Sequence, residues 1–231
     1  MNRRHFIASI ATTLAVGSYG SVVNAQNKTT TGVEPPAKNA AANTAPQRTI
    51  LVLGDSLSAE YGLRRGSGWV ALLDRRLAVE GIAAHVVNAS ISGDTTSGGR
   101  SRLGALLVQH KPTQVVIELG ANDALRGLPL GMTEDNLNQM TQAAKKAGAK
   151  VLLVGMQMPP NYGADYANRF AGLFGTVARA NKVALVPFLL KGVADAAEPG
   201  KLFQNDGLHP REEAHPTILA NVWPELRKLL K

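Results

Sequence analysis

Cysteine is absent from this 231-residue sequence, and Phe, Trp and Tyr together make up only 5% of it. The first absence excludes a disulfide framework, a thiolate zinc site and a cysteine nucleophile. There is no HExxH pair, no Walker phosphate loop and no G-x-S-x-G elbow. Zinc proteolysis, P-loop nucleotide hydrolysis and the ordinary α/β-hydrolase arrangement lose their signatures with them. A run long enough to span a bilayer is also missing. The best candidate, Phe6 to Val16, is short and is followed by Gly17 and Gly20. Acidic residues are the scarcer charge, 17 against 25 Lys and Arg, for a net charge of +8. Arg3 and Arg4 carry part of that excess, and Lys28, Lys38 and Arg48 against Glu34 carry more. The basic pairs Arg64–Arg65, Lys145–Lys146 and Arg227–Lys228 are scattered and have no interleaved aromatics. That is the pattern of solvated faces, and no nucleic-acid partner is expected.

What is present falls into three segments. Residues 1–25 read as a signal peptide, with a basic start, a modest apolar region and Val23-Asn24-Ala25 at the cleavage position. Arg3-Arg4 followed by a weak, Thr- and Gly-rich apolar region favours the twin-arginine route over an ordinary secretory signal. The mature chain is therefore expected to be exported, periplasmic or secreted, without an integral membrane segment. Residues 26–48 are rich in Ala, Asn, Thr and Pro, lack apolar periodicity and read as a disordered linker. Residues 49–231 form one domain, large enough for a sizeable core.

Within that domain strands and helices alternate. Strands are expected at Thr49–Leu53, His85–Ile91, Gln114–Leu119, Val151–Val154 and Val183–Val186. Helices are expected at Trp69–Val79, Thr95–His110, Thr133–Ala147, Tyr166–Ala180 and from about Ala214 to the end, with Pro224 kinking or splitting the last. The alternation gives an α/β class, a three-layer α/β/α flavodoxin-like fold with a five-stranded parallel sheet of order 2-1-3-4-5.

Three expected strand ends carry small and polar residues: Gly54-Asp55-Ser56, Ser92-Gly93-Asp94 and Gly120-Ala121-Asn122-Asp123. In the order 2-1-3 these loops meet at one carboxyl edge, where open α/β sheets bind ligands. A fourth block, Asp206-Gly207-Leu208-His209-Pro210, lies between the fifth strand and the last helix. An Asp three residues before a His reaches Nδ1 and leaves Nε2 to face a nucleophile. Among the five histidines, His5 lies in the leader, and His85 and His110 sit at element ends. His215 is the one competitor of His209, and it lacks an Asp three positions earlier. Asp55, Asp94 and Asp123 are expected to bind neighbouring loops rather than act on substrate.

The stretches LVLGDSLSAEYGL, VVNASISGDTT, ELGANDALRG, MPPNYG and DGLHP resemble the SGNH (GDSL) hydrolase family. The similarity runs from about Ile50 to about Leu230, and is greatest with its periplasmic acyl-CoA thioesterase, lysophospholipase and arylesterase group. The resemblance implies Ser56 as nucleophile and Asp206 and His209 as its triad partners. The N–H groups of Ser56 and Gly93 and the Asn122 amide would form the oxyanion hole. It implies hydrolysis of an acyl ester or thioester, a small-molecule substrate, with no cofactor and no metal. Relatives often carry Gln where His215 stands and Leu where Met158 stands. The apolar residues Leu125, Leu128, Met156, Met158, Pro159 and Tyr162 either bind an acyl chain or anchor loops on the core. Two other functions fit the same residues: an SGNH deacetylase of sugars or cell wall, and a non-catalytic lipid-binding protein.

Overall fold

The computed structural model describes residues 48–231. The leader and linker assigned to residues 1–25 and 26–48 lie outside the described residues, save for Arg48. Five strands, β1 (Arg48–Gly54), β2 (Ala84–Asn88), β3 (Gln114–Glu118), β4 (Lys150–Val154) and β5 (Ala184–Val186), pair in parallel in the order β2-β1-β3-β4-β5. The helices are α1 (Trp69–Val79), α2 (Thr96–His110), α3 (Ala121–Leu125), α4 (Leu130–Lys146), α5 (Ala164–Asn181) and α6 (His215–Leu229). β1 and β3 are buried nearly throughout, as strands covered on both faces must be.

The chain leaves β1 towards β2 and then returns past β1 to β3, β4 and β5. With right-handed crossovers that reversal puts α1 on one face and α2, α4 and α5 on the other. Accordingly α1 packs against α6, while α2, α4 and α5 pack in series. Trp69, Leu73 and Leu77 of α1 and Phe170 and Phe174 of α5 are fully buried or nearly so. A fully buried aliphatic or aromatic side chain of this kind contributes about 1.5–3 kcal/mol. The reversal also makes the carboxyl ends of β1 and β3 the switch point of the sheet, where the loops diverge and leave a crevice.

The departures from expectation have local causes. β2 ends at Asn88, not Ile91: Asn88 Oδ1 accepts the Ser90 N–H, and Asn88 Nδ2 donates to the Ser58 carbonyl. An Asx turn bends the chain there, although the Ala89 and Ile91 N–H groups still donate to the Val52 and Gly54 carbonyls of β1. α4 begins at Leu130, not Thr133. Thr133 and Asn136 do not cap the helix. Thr133 donates to Asp123 and Asn136 donates to Thr96, so tertiary bonds recruit the polar groups. α5 likewise begins at Ala164, two residues before Tyr166. Pro224 lies inside α6 without splitting it. The carbonyl it orphans, on Ala220, is on an exposed residue where water can satisfy it. The block Gly120–Asp123, expected as a loop, runs into the short helix α3.

Candidate active site

Immediately after β1 the chain coils tightly. The Ser58 and Ala59 N–H groups both donate to the Asp55 carbonyl, at 3.2 and 2.9 Å, and Tyr61 N–H donates to the Ser56 carbonyl at 3.4 Å. Ser56 thus stands at the open end of a helical turn with its own N–H free of any bond to the described residues. Gly54 permits the coil. A Cβ there would lie 2.8 Å from Glu118 Oε2 and from the Ser58 side chain, closer than any side chain tolerates.

His209 reaches this coil from a loop held by a single antiparallel bridge between Phe203 and Pro210. Gln204 N–H donates to the His209 carbonyl at 2.7 Å. The Gln204 amide also donates to the Tyr61 carbonyl at 2.9 Å, tying the histidine loop to the serine loop. The Tyr61 ring packs on the imidazole, 4.4 Å between centroids. As a result His209 Nε2 lies 2.9 Å from Ser56 Oγ.

Asp206 Oδ2 lies 2.7 Å from His209 Nδ1. Its other oxygen accepts the N–H groups of Leu208 and His209, at 2.9 and 3.0 Å. These bonds, that from the His209 N–H foremost, hold the Asp206 carboxyl down at about 2. A carboxylate is an acceptor only, so Nδ1 carries the imidazole proton and Nε2 accepts the Ser56 hydroxyl.

On the other side of Ser56 stands Asn122, in the first turn of α3. Its Nδ2 donates to Asp55 Oδ2 at 3.1 Å. Asp55 Oδ1 accepts the Leu57 N–H at 3.0 Å. Burial pushes the Asp55 carboxyl up to about 6, opposed by the Leu57 N–H, His209 and Asn122. Gly93 occupies the third position of a turn closed by the Asp94 N–H on the Ile91 carbonyl, with φ +78°, a conformation that suits glycine. Arg126 Nη2 donates to the Gly93 carbonyl at 2.8 Å. The Gly93 N–H, like that of Ser56, makes no bond to the described residues. Asp94 accepts Thr95 N–H and pairs with Arg102, and Asp123 accepts both donors of Thr96, so these carboxylates fasten the loops.

The open side of the serine is a cavity of about 600 Å³ lined by Asp55, Ser56, Leu57, Asn122 and His209 at one end. Its walls are mostly apolar, with Gln157 and Asp195 as polar exceptions, and Leu125, Met158 and Pro159 stand in them. Tyr162 does not. It ends the 3-10 turn Pro160–Tyr162 and is exposed. The walls also contain Phe188, Leu190, Phe203 and Leu208, which sequence reasoning missed. Phe188 and Leu190 follow β5, and their position at a strand's carboxyl end was the available signal.

His215 has a separate fate. It is buried, and its Nδ1 accepts the Trp69 N–H at 3.0 Å, on the α1 side of the sheet. Burial lowers its basicity, with Glu60 the largest opposing influence.

Comparison with known proteins agrees with this geometry. Residues 52–216 match the model of the GDSL-like lipase/acylhydrolase family. Esterase TesA of Pseudomonas aeruginosa is 53% identical over 186 residues, covering 80% of this chain and 91% of its own length. Thioesterase 1/protease 1/lysophospholipase L1 of Escherichia coli K12 is 41% identical, covering 79% and 85%. A crystal structure of TesA superposes with a TM-score of 0.76 at 53% identity, covering 79% of this chain and 99% of that one. The chain belongs to the GDSL-like lipase/acylhydrolase family and is an ester-cleaving serine hydrolase.

Proposed function

We propose that this enzyme cleaves carboxylic esters and thioesters of short to medium acyl chains through an acyl-enzyme on Ser56. The observation that carries this is the unbroken chain from Ser56 Oγ through His209 to Asp206, which opens directly onto an apolar cavity. His209 Nε2 takes the hydroxyl proton as Oγ attacks the carbonyl carbon. The Asp206 carboxylate steadies the imidazolium that forms. The carbonyl oxygen becomes an oxyanion among the Ser56 and Gly93 N–H groups and the Asn122 amide, worth a few kcal/mol for each donor, about 3. His209 then gives its proton to the departing alcohol or thiol. Water repeats the sequence on the acyl-enzyme and releases the acid.

Leu125, Met158 and Pro159, with Leu57, Phe188 and Leu190, hold the acyl chain. Those walls suit hydrocarbon better than a sugar, which favours ester and thioester substrates of the arylesterase, lysophospholipase and thioesterase kind over carbohydrate acetyl groups. The names of the relatives, an esterase and a thioesterase/lysophospholipase, fit the same choice. The leader in residues 1–25 would send the enzyme out of the cytoplasm.

The test is a substrate panel on purified enzyme: p-nitrophenyl butyrate, a lysophospholipid, an acyl-CoA and an acetylated sugar. Hydrolysis of the aryl ester with at least one of the two lipid-type substrates, well above the sugar, is expected. Activity confined to the acetylated sugar overturns the reading in favour of a deacetylase.

A further inference from the structure

Asp55 is 1% exposed and directly precedes the proposed nucleophile, whose hydroxyl bonds His209 and not Asp55. Both its oxygens are spoken for by donors of different parts of the site. Oδ1 accepts the Leu57 N–H, which belongs to the coil around Ser56. Oδ2 accepts one hydrogen of the Asn122 amide, across the switch point on α3. A primary amide has two chemically opposite ends, and nothing in its shape says which way round it sits. A carboxylate accepts only, so Asp55 admits the NH2 end and repels the carbonyl end.

We infer that Asp55 is a positioning residue for catalysis, whose carboxylate fixes the orientation of the Asn122 amide so that its second N–H is aimed at the oxyanion. The inference rests on the role given to Asn122 above. With Asp55 charged, one Nδ2 hydrogen is committed to it and the other is left for the carbonyl oxygen of the substrate. The donor is then set before the reaction begins, and preorganisation is what gives an oxyanion hole its effect. Without that acceptor the amide is free to turn its oxygen towards the developing negative charge.

Protonating Asp55 has the same effect by another route. A neutral carboxyl is a weaker acceptor than a carboxylate and gains an O–H donor of its own, so its hold on the Asn122 amide loosens. The carboxyl is placed to protonate in mild acid. Burial raises it to about 6, the Leu57 N–H, the cationic form of His209 and the Asn122 amide pull it down, and Asp94 pushes it up. Beneath it, Glu118 accepts the Asp55 N–H at 3.4 Å and is itself pushed well above the usual carboxyl range by burial and by Asp55.

The experiment is a double-mutant cycle on an aryl ester with Asp55→Asn, Asn122→Ala and both together, measuring kcat and KM. Asn122→Ala is expected to lower kcat about a hundredfold or more. If it leaves kcat unchanged, the role of Asn122 itself fails. Asp55→Asn alone is expected to lower kcat by at least about tenfold with KM little changed, and to add less than about twofold in the Asn122→Ala background. Full additivity overturns the inference, because Asp55 would then act through His209 or through the fold. A second measurement needs no Asp55 variant. The ratio of wild-type to Asn122→Ala kcat cancels the ionisation of the shared base, and is expected to fall as pH drops through about 6. A ratio that stays flat from about pH 8 to about pH 5 overturns the inference.

Discussion

The main-chain N–H of Trp69, at the first position of α1, donates to Nδ1 of His215 at 3.0 Å. That bond separates the two histidines that the sequence left six residues apart. His215 is buried on α6 as an acceptor for another helix, while His209 stands on a loop with Ser56 on one nitrogen and Asp206 on the other. His209→Ala is expected to abolish most ester hydrolysis. His215→Ala is expected to keep most of it but to lose stability, about 1–3 kcal/mol, because the buried Trp69 N–H loses its partner. Asp206→Asn is expected to resemble His209→Ala, since an amide favours the wrong imidazole tautomer. Turnover on one aryl ester, with thermal unfolding of each variant, checks all three. An inactive His215→Ala of normal stability would contradict the assignment.

Met158 is expected to set chain-length preference. It is 8% exposed and stands in the cavity wall. Each buried methylene contributes at most about 0.8 kcal/mol, so Met158→Ala should reduce kcat/KM progressively from acetyl to butyryl to octanoyl esters. A uniform reduction over the series would mean that Met158 supports the core instead.

Glu118 is expected to make the enzyme more stable in mild acid than in base. Its carboxyl is fully buried; Oε2 accepts the Ser58 hydroxyl at 2.7 Å, and Oε1 has no partner among the described residues. Burial, helped by Asp55, raises its folded-state affinity for a proton above the unfolded value of 4.5, and Asp55 shifts upward from 3.8 in the same way. The folded state therefore binds more protons than the unfolded state above those unfolded values, and stability falls as pH rises through the folded ones. Thermal unfolding of wild type and Glu118→Gln should be compared from about pH 5 to about pH 8: the wild-type midpoint should fall relative to that of Glu118→Gln as pH rises, a difference in which the opposite contribution of buried His215 cancels. An unchanged slope in Glu118→Gln would show that Glu118 is not the group responsible.

Much of this arrangement was legible in the residues. The sheet order followed from alternation and handedness, and Asp206 three residues before His209, with Gly-Asp-Ser at a strand end, pointed to the residues that the structure brings within hydrogen-bond distance of one another. The parts that were not legible depend on tertiary contacts. Thr133 and Asn136 look like a helix start, and only their bonds to Asp123 and Thr96 show why α4 begins at Leu130. Phe188 and Leu190 look like ordinary core residues after a short strand, and only the position of β5 at the sheet edge turns them towards the cavity. Tyr162 lies outside the cavity lining, at the end of a 3-10 turn that no apolar pattern reveals. His215 needed the partner on α1, 146 positions away in sequence.

The central claim is that Ser56 alone is the nucleophile, and covalent labelling tests it most directly. The enzyme should be treated with a phosphonate ester inhibitor, digested and mapped by mass spectrometry, alongside Ser56→Ala. Ser56→Ala should stay folded, because losing one hydroxyl from a loop costs little. One phosphonyl group on Ser56 in the wild type is expected, with loss of activity in step with labelling, and none in Ser56→Ala. A label on Ser58, Ser92 or another serine, or residual turnover by folded Ser56→Ala comparable to wild type, would contradict it.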